Sequence, residues 1–198
     1  MPPFFSHEGT VLKLFENEKV PRLVASDQQR ILMRHLAGED CYDANIDQML
    51  HMVALLVDLQ WQWHDRLPAL AEAGLPDCSA AYLNDAIPTI VGQYLDALSE
   101  PHQSVLKTFV ADLPVRLSNI EDCGIPSTLV HGDYHPGNWR GTGINLTILD
   151  WGDCVSGHPL LDQACWIGQG ATRINCCLTG DRVGRKNYPR RILHVRPR

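Results

Sequence analysis

The sequence predicts an α+β protein dominated by helix. Three observations carry this. One long stretch, residues 45–64, has helical apolar periodicity with an N-terminal capping pair. Two further segments, 79–98 and 103–120, read as helices. The strand-like runs are few and short: a pair within 21–36, then 127–130 and 144–149.

Taken in order, Arg22-Leu23-Val24 and Ile31-Leu32-Met33 read as two strands around the polar turn Ser26-Asp27-Gln28-Gln29. Residues 37–40, AGED, end that pattern. In the helix at 45–64, Ile46, Met49, Leu50, Val53, Leu56, Val57, Gln60, Trp61 and His64 follow the i, i+3, i+4, i+7 spacing, with one polar slip at Gln60. Asn45 with Gln48 three residues later is a capping pair. The Met and Trp stripe is assigned to the core. Gly74-Leu-Pro-Asp77 is a loop. The helix at 79–98 is expected to break at Pro88. That at 103–120 places Val105, Phe109, Leu113 and Leu117 on one face. Ser127–Val130 is a short strand leading into HGDYHPGN. Ile144–Leu149 is another, entered through Gly141-Thr-Gly143. Residues 160–168 look helical, with Asp162 near their start.

Composition narrows the class. Of 198 residues, 44% are apolar and 20% charged, ordinary for a globular chain. No run approaches the ~18 apolar residues of a membrane span, and the N-terminal residues do not read as a secretory leader. The expectation is a cytoplasmic protein with no membrane partner. Seven cysteines with no CxxC pair argue against a zinc site or a disulfide framework. Charge is uneven. Residues 1–172 carry nine Lys and Arg against 22 Asp and Glu, net −13; residues 173–198 carry eight against one, net +7. An acidic body repels phosphate backbones, so no nucleic-acid partner is expected, whereas a cationic small molecule is tolerated. The plainer reading is an acidic surface kept for solubility.

The chemistry concentrates in residues 131–138, HGDYHPGN. Pro136-Gly137 alone would make a turn, so His131, Asp133, His135 and Asn138 need another reason. Asp133 and Asn138 stand five residues apart, the spacing of a kinase catalytic loop. A strand follows, then Asp150-Trp151-Gly152, an acid, an aromatic and a glycine at a strand end. Phosphoryl transfer needs a carboxylate to accept a hydroxyl proton, and Asp133 is the candidate. It also needs a divalent ion on hard oxygen ligands, and the Asn138 amide and Asp150 carboxylate suit Mg²⁺. His131 is expected to hold the loop; His135 either does the same or touches substrate.

HGDYHPGNW followed by ILDWGDCVSGHPLLD resembles the aminoglycoside phosphotransferase family, relatives of choline kinase within the protein kinase-like fold. The likeness is close over 129–166. It extends upstream through VPRLVASDQQRILMRHLAGED, similar to the last N-lobe strands and hinge, and through the helix ending LQWQWHDRL. The resemblance implies a two-lobed fold with a mostly helical C-lobe and a remnant of the N-lobe sheet. It also implies ATP as donor, Mg²⁺, and a small-molecule hydroxyl acceptor. Carried over, Asp133 is the catalytic base, Asn138 and Asp150 are metal ligands, and Asp162 braces the catalytic loop. Capping the next helix is a second, compatible role for Asp162. With Met33 before the hinge, the C=O of Arg34 and the N–H of Leu36 would meet adenine. The chain then divides into an N-lobe remnant and hinge at 1–36, a C-lobe at 37–172, and an atypical basic tail at 173–198.

The sequence departs from that family in two places. No GxGxxG occurs, and Lys13 and Lys19 are the only lysines before Lys107. HEGTVLKLF reads as the end of the N-lobe helix rather than a strand, with Glu8 as the acid that would pair with an absent lysine. The expectation is a fragment with little activity of its own. The tail has three readings: an out-of-family end such as a frameshift produces, a disordered basic arm, or an unusual helix. Two other functions fit parts of the sequence. One is a catalytically inactive kinase-derived fold that binds nucleotide or partner. The other is a metallophosphoesterase, disfavoured because Trp139 stands where GN should be followed by His or Asp.

Overall fold

A computed structural model describes residues 7–15, 19–27 and 30–163. The first element among the described residues is helix α1 (Glu8–Leu14), whose exposed Lys13 lies in its last turn. HEGTVLKLF is therefore helical, and Lys13 is not a strand lysine. Strands β1 (Leu23–Ser26) and β2 (Ile31–Met33) pair antiparallel, with Ser26 opposite Ile31. Asp27 fastens the turn by accepting from the backbone and guanidinium of Arg30.

A connector leads to β3 (Glu39–Asp40) and then to α2 (Ile46–Trp63). The α2 capping box forms both ways: Gln48 N–H donates to Asn45 Oδ1 at 2.9 Å, and Asn45 N–H to Gln48 Oε1 at 3.1 Å. The buried face shares Leu56 and Gln60 with the one expected but is rotated from it. Met52, Leu56, Leu59, Gln60 and Trp63 face inward, whereas Ile46, Leu50, Val57 and Trp61 are exposed. Apolar residues surround much of this helix, so periodicity alone fits more than one face.

Next come α3 (Leu67–Glu72), β4 (Asp77–Cys78), α4 (Ala80–Tyr94) and α5 (Glu100–Glu121). Helix α4 runs through Pro88 instead of breaking there. The carbonyl that Pro88 leaves without a donor belongs to Asn84, which is exposed and can turn to water. On α5 only Leu113 is buried; Val105 stays exposed, so the expected four-residue face packs only towards its C-terminal half.

Strand β5 (Thr128–Val130) is fully buried. It is followed by the hairpin of β6 (Trp139–Thr142) and β7 (Asn145–Ile148), and by β8 (Val155–Gly157). Two three-stranded sheets result, β3-β6-β7 and β4-β8-β5, with β4 parallel to β8. Strands β3, β4, β6 and β8 arise from pairings that the sequence pattern does not reveal. Residues 159–162 form a 3-10 turn rather than an α-helix. Gln163, which follows, is helical; residues 164–168 of the helix expected at 160–168 lie outside the described residues, as does the tail at 173–198.

The core joins these pieces. Phe15 of α1 packs edge-on against Trp63 of α2 at 4.9 Å and against Trp151 at 5.0 Å between ring centroids. Burying one such aromatic is worth about 1.5–3 kcal/mol, so Phe15 pins α1 to the Asp150-Trp151-Gly152 turn. Among the described residues no helix is long and apolar enough to cross a membrane.

Candidate active site

Strand β5 delivers the chain to His131, where the backbone turns outward. Two consecutive N–H groups, of His131 and Gly132, would be orphaned by that turn. Both donate to the buried Asp162 carboxylate, at 3.0 and 2.9 Å, and Gln60 Nε2 of α2 donates to it at 3.0 Å. Burial pushes the Asp162 carboxyl above its usual range, and these N–H donors pull it back. Gln60, the polar slip in an apolar stripe, is thus a member of the site. That slip is the signal from which it could have been found.

His131 is fully buried. Its Nε2 lies 2.8 Å from the Leu149 carbonyl, and its Nδ1 accepts from the Asp133 N–H at 3.3 Å. An Nε2–H tautomer satisfies both contacts. Burial pushes its pKa down, against the attraction of Asp162, Asp150 and Asp133. A neutral imidazole therefore bridges the loop to the residue before Asp150.

Asp133 is 41% exposed at its side chain. Asn138 Nδ2 donates to its carbonyl at 2.8 Å and to Oδ2 at 3.1 Å, and His135 Nε2 stands 3.5 Å from the same oxygen. His135 holds the Asp133 carboxyl below its usual range, with Asn138 adding to this and burial opposing it. Asp133 is an ionised acceptor at neutral pH. Asn138 closes the 3-10 turn Pro136–Asn138, and its carbonyl accepts from the Leu149 N–H at 2.6 Å. That bond, at the open end of the β6–β7 hairpin, ties Asn138 to the residue before Asp150. Asp150 has φ +64°, the one non-glycine residue with positive φ among those described. Such a conformation costs on the order of 1 kcal/mol or more and collects at functional positions.

The structure thus brings together Asp133, Asn138, Asp150, His131 and Asp162. Arg34 and Leu36 are in the connector between β2 and β3, where the Arg34 N–H donates to the Arg22 carbonyl. Tyr42, which no sequence pattern singled out, covers the loop, stacked on His135 at 5.9 Å and 23°.

Among the described residues no three of His, Cys, Asp and Glu are grouped to hold a metal. Mg²⁺ does not require such a cage, because it commonly takes one or two protein oxygens and completes its shell with phosphates and water. The donors here fit it. Asn138 spends its Nδ2 on Asp133. Its amide oxygen and the Asp150 carboxylate are both hard donors of the kind Mg²⁺ takes.

A family model described as the phosphotransferase enzyme family, APH, matches residues 5–173. Comparison with curated proteins found no match.

Proposed function

Because the chain belongs to the phosphotransferase enzyme family and carries its protein kinase-like α+β fold, we propose that it transfers the terminal phosphoryl group of ATP to a hydroxyl of a small molecule. The observation that carries this is the Asn138 junction: its side chain binds Asp133 and its backbone binds Leu149, which supports reading Asp133, Asn138 and Asp150 as one site.

In this reading Asp133 orients the acceptor hydroxyl and takes its proton as the oxygen attacks phosphorus. Asn138 and Asp150 hold Mg²⁺, which screens the phosphate charges when bound. His131 and Asp162 keep the loop from collapsing. Arg34 C=O and Leu36 N–H meet adenine. The net negative charge of residues 1–172 suits a cationic acceptor. Turnover is slow, because Lys13 sits exposed on a helix and the sequence offers no Gly-rich phosphate loop. That same observation favours a second reading, in which the chain binds Mg²⁺-nucleotide without catalysis.

Incubation with γ-labelled ATP, Mg²⁺ and a panel of aminoglycosides, choline-like alcohols, sugars and hydroxy amino acids separates the two. Label transfer lost in Asp133→Ala supports the transferase. Thermal stabilisation by Mg²⁺-ATP with no transfer supports the binder. Transfer undiminished in Asp133→Ala refutes the assigned base, and no response to Mg²⁺-ATP refutes both readings.

A further inference from the structure

Asp133 has two carboxylate oxygens, and the described donors do not share them evenly. Asn138 Nδ2, at 3.1 Å, and His135 Nε2, at 3.5 Å, both address Oδ2. Among the described residues none donates to Oδ1.

The state of the His135 ring follows from its other nitrogen. The Gly137 N–H donates to His135 Nδ1 at 3.0 Å, so Nδ1 carries no proton. A neutral ring then bears its proton on Nε2, the atom that faces Asp133. The ring is also prevented from turning away. Tyr42 lies over it, and Tyr42 itself rests on Gly137, where any side chain would overlap the phenol. Strand β3 seats Tyr42 through its pairing with β6 and through the Cys41 N–H to the Pro136 carbonyl at 3.2 Å. A 3.5 Å separation is long for a hydrogen bond, and contacts of this kind tighten when the reacting complex forms.

We propose that His135 is a positioning residue for Asp133: its Nε2–H, with Asn138, occupies Oδ2 and leaves Oδ1 as the oxygen that receives the acceptor proton. The proposal rests on the phosphotransferase reading for its consequence, but its geometry can be tested separately.

Asparagine can imitate Nδ1 and glutamine can imitate Nε2. His135→Asn keeps an acceptor for the Gly137 N–H and removes the donor to Asp133. His135→Gln does the reverse. Mg²⁺-ATP hydrolysis, with water as acceptor, is the readout. His135→Asn is expected to lower kcat about tenfold with KM for ATP unchanged, the loss of one charge-assisted hydrogen bond, and His135→Gln to recover most of it. A His135→Asn enzyme as fast as wild type, with His135→Gln impaired, would show a purely structural cap and overturn the proposal. Absence of turnover in the wild-type chain would instead count against the phosphotransferase reading. The geometry is then read from the ¹⁵N spectrum of the histidine rings in the full chain. An Nε2–H tautomer whose proton moves on Asp133→Ala supports the positioning role; an Nδ1–H tautomer, or a proton indifferent to that change, overturns it.

Discussion

The α-carbon of Gly132 lies directly against the main-chain carbonyl of Asp153. A Cβ at position 132 would overlap that oxygen, and the residue has φ +84°. The loop carrying Asp133 and the turn carrying Asp150 are therefore interlocked through backbone, where no rotamer change can make room. Gly132→Ala is expected to cost at least about 1–3 kcal/mol from the left-handed backbone alone. For a chain of this size that lowers Tm by roughly 2–4 °C per kcal/mol. Thermal unfolding followed by circular dichroism measures it; an unchanged Tm would show that the two loops are not in this contact.

Gln60 and Asp162 are separated by 102 positions and joined by one hydrogen bond. Gln60→Leu preserves the apolar packing of α2 and removes one donor from a buried carboxylate. A loss of about 1–2 kcal/mol is expected. Asp162→Ala frees the two N–H groups of His131 and Gly132 and should cost more. Urea unfolding midpoints order the variants, and equal stabilities for the two would contradict the bracing geometry.

Metal-ligand and base roles are separable by nucleotide binding. Mg²⁺-ATP at about ten times its Kd raises stability by roughly 1.4 kcal/mol, a Tm shift of a few degrees. Asp150→Ala is expected to abolish that shift, and Asn138→Ala to reduce it. Asp133→Ala should retain it, since Asp133 meets the acceptor rather than the ion. Equal loss in Asp133→Ala and Asp150→Ala would remove the distinction between the roles.

Acidification should destabilise the fold. His7, His131 and His158 all have pKa values pushed down, chiefly by burial. Each binds a proton more readily in the unfolded chain, so stability rises with pH through the window ending near 6.5 and is lost as pH falls below it. The fully buried His131 alone contributes a slope of up to about 1.4 kcal/mol per pH unit in that window. Asp162, whose pKa is raised, works in the opposite sense from the ordinary carboxylate range upward. Urea midpoints at pH 7 and pH 5.5 are the check, with the lower midpoint expected at pH 5.5.

Local chemistry was legible without coordinates. The capping box at Asn45 and Gln48 depends on atoms three residues apart, and it forms as read. The β1–β2 pair, the strand before His131 and the helical character of HEGTVLKLF are likewise short-range matters. The candidate site residues could be named because the loop packs Asp133 and Asn138 within one turn and Asp150 follows one hairpin later.

Other features were decided only by packing. Strands β3 and β4 are two residues each, and they exist because β6 and β8 offer them hydrogen bonds from distant parts of the chain. The orientation of α2 was not determined by its own residues, because Ile46, Leu50, Val57 and Trp61 are as apolar as the buried Met52, Leu56, Leu59 and Trp63. What rotated the helix was the core it met; Gln60 faces inward in either orientation and donates to the buried Asp162 carboxylate. The residue types and spacings by themselves determined which groups were on offer for phosphoryl chemistry. Which oxygen of Asp133 stays open, and which tautomer His135 adopts, was decided by tertiary contacts, because a hydrogen bond's direction depends on where both partners are held in space.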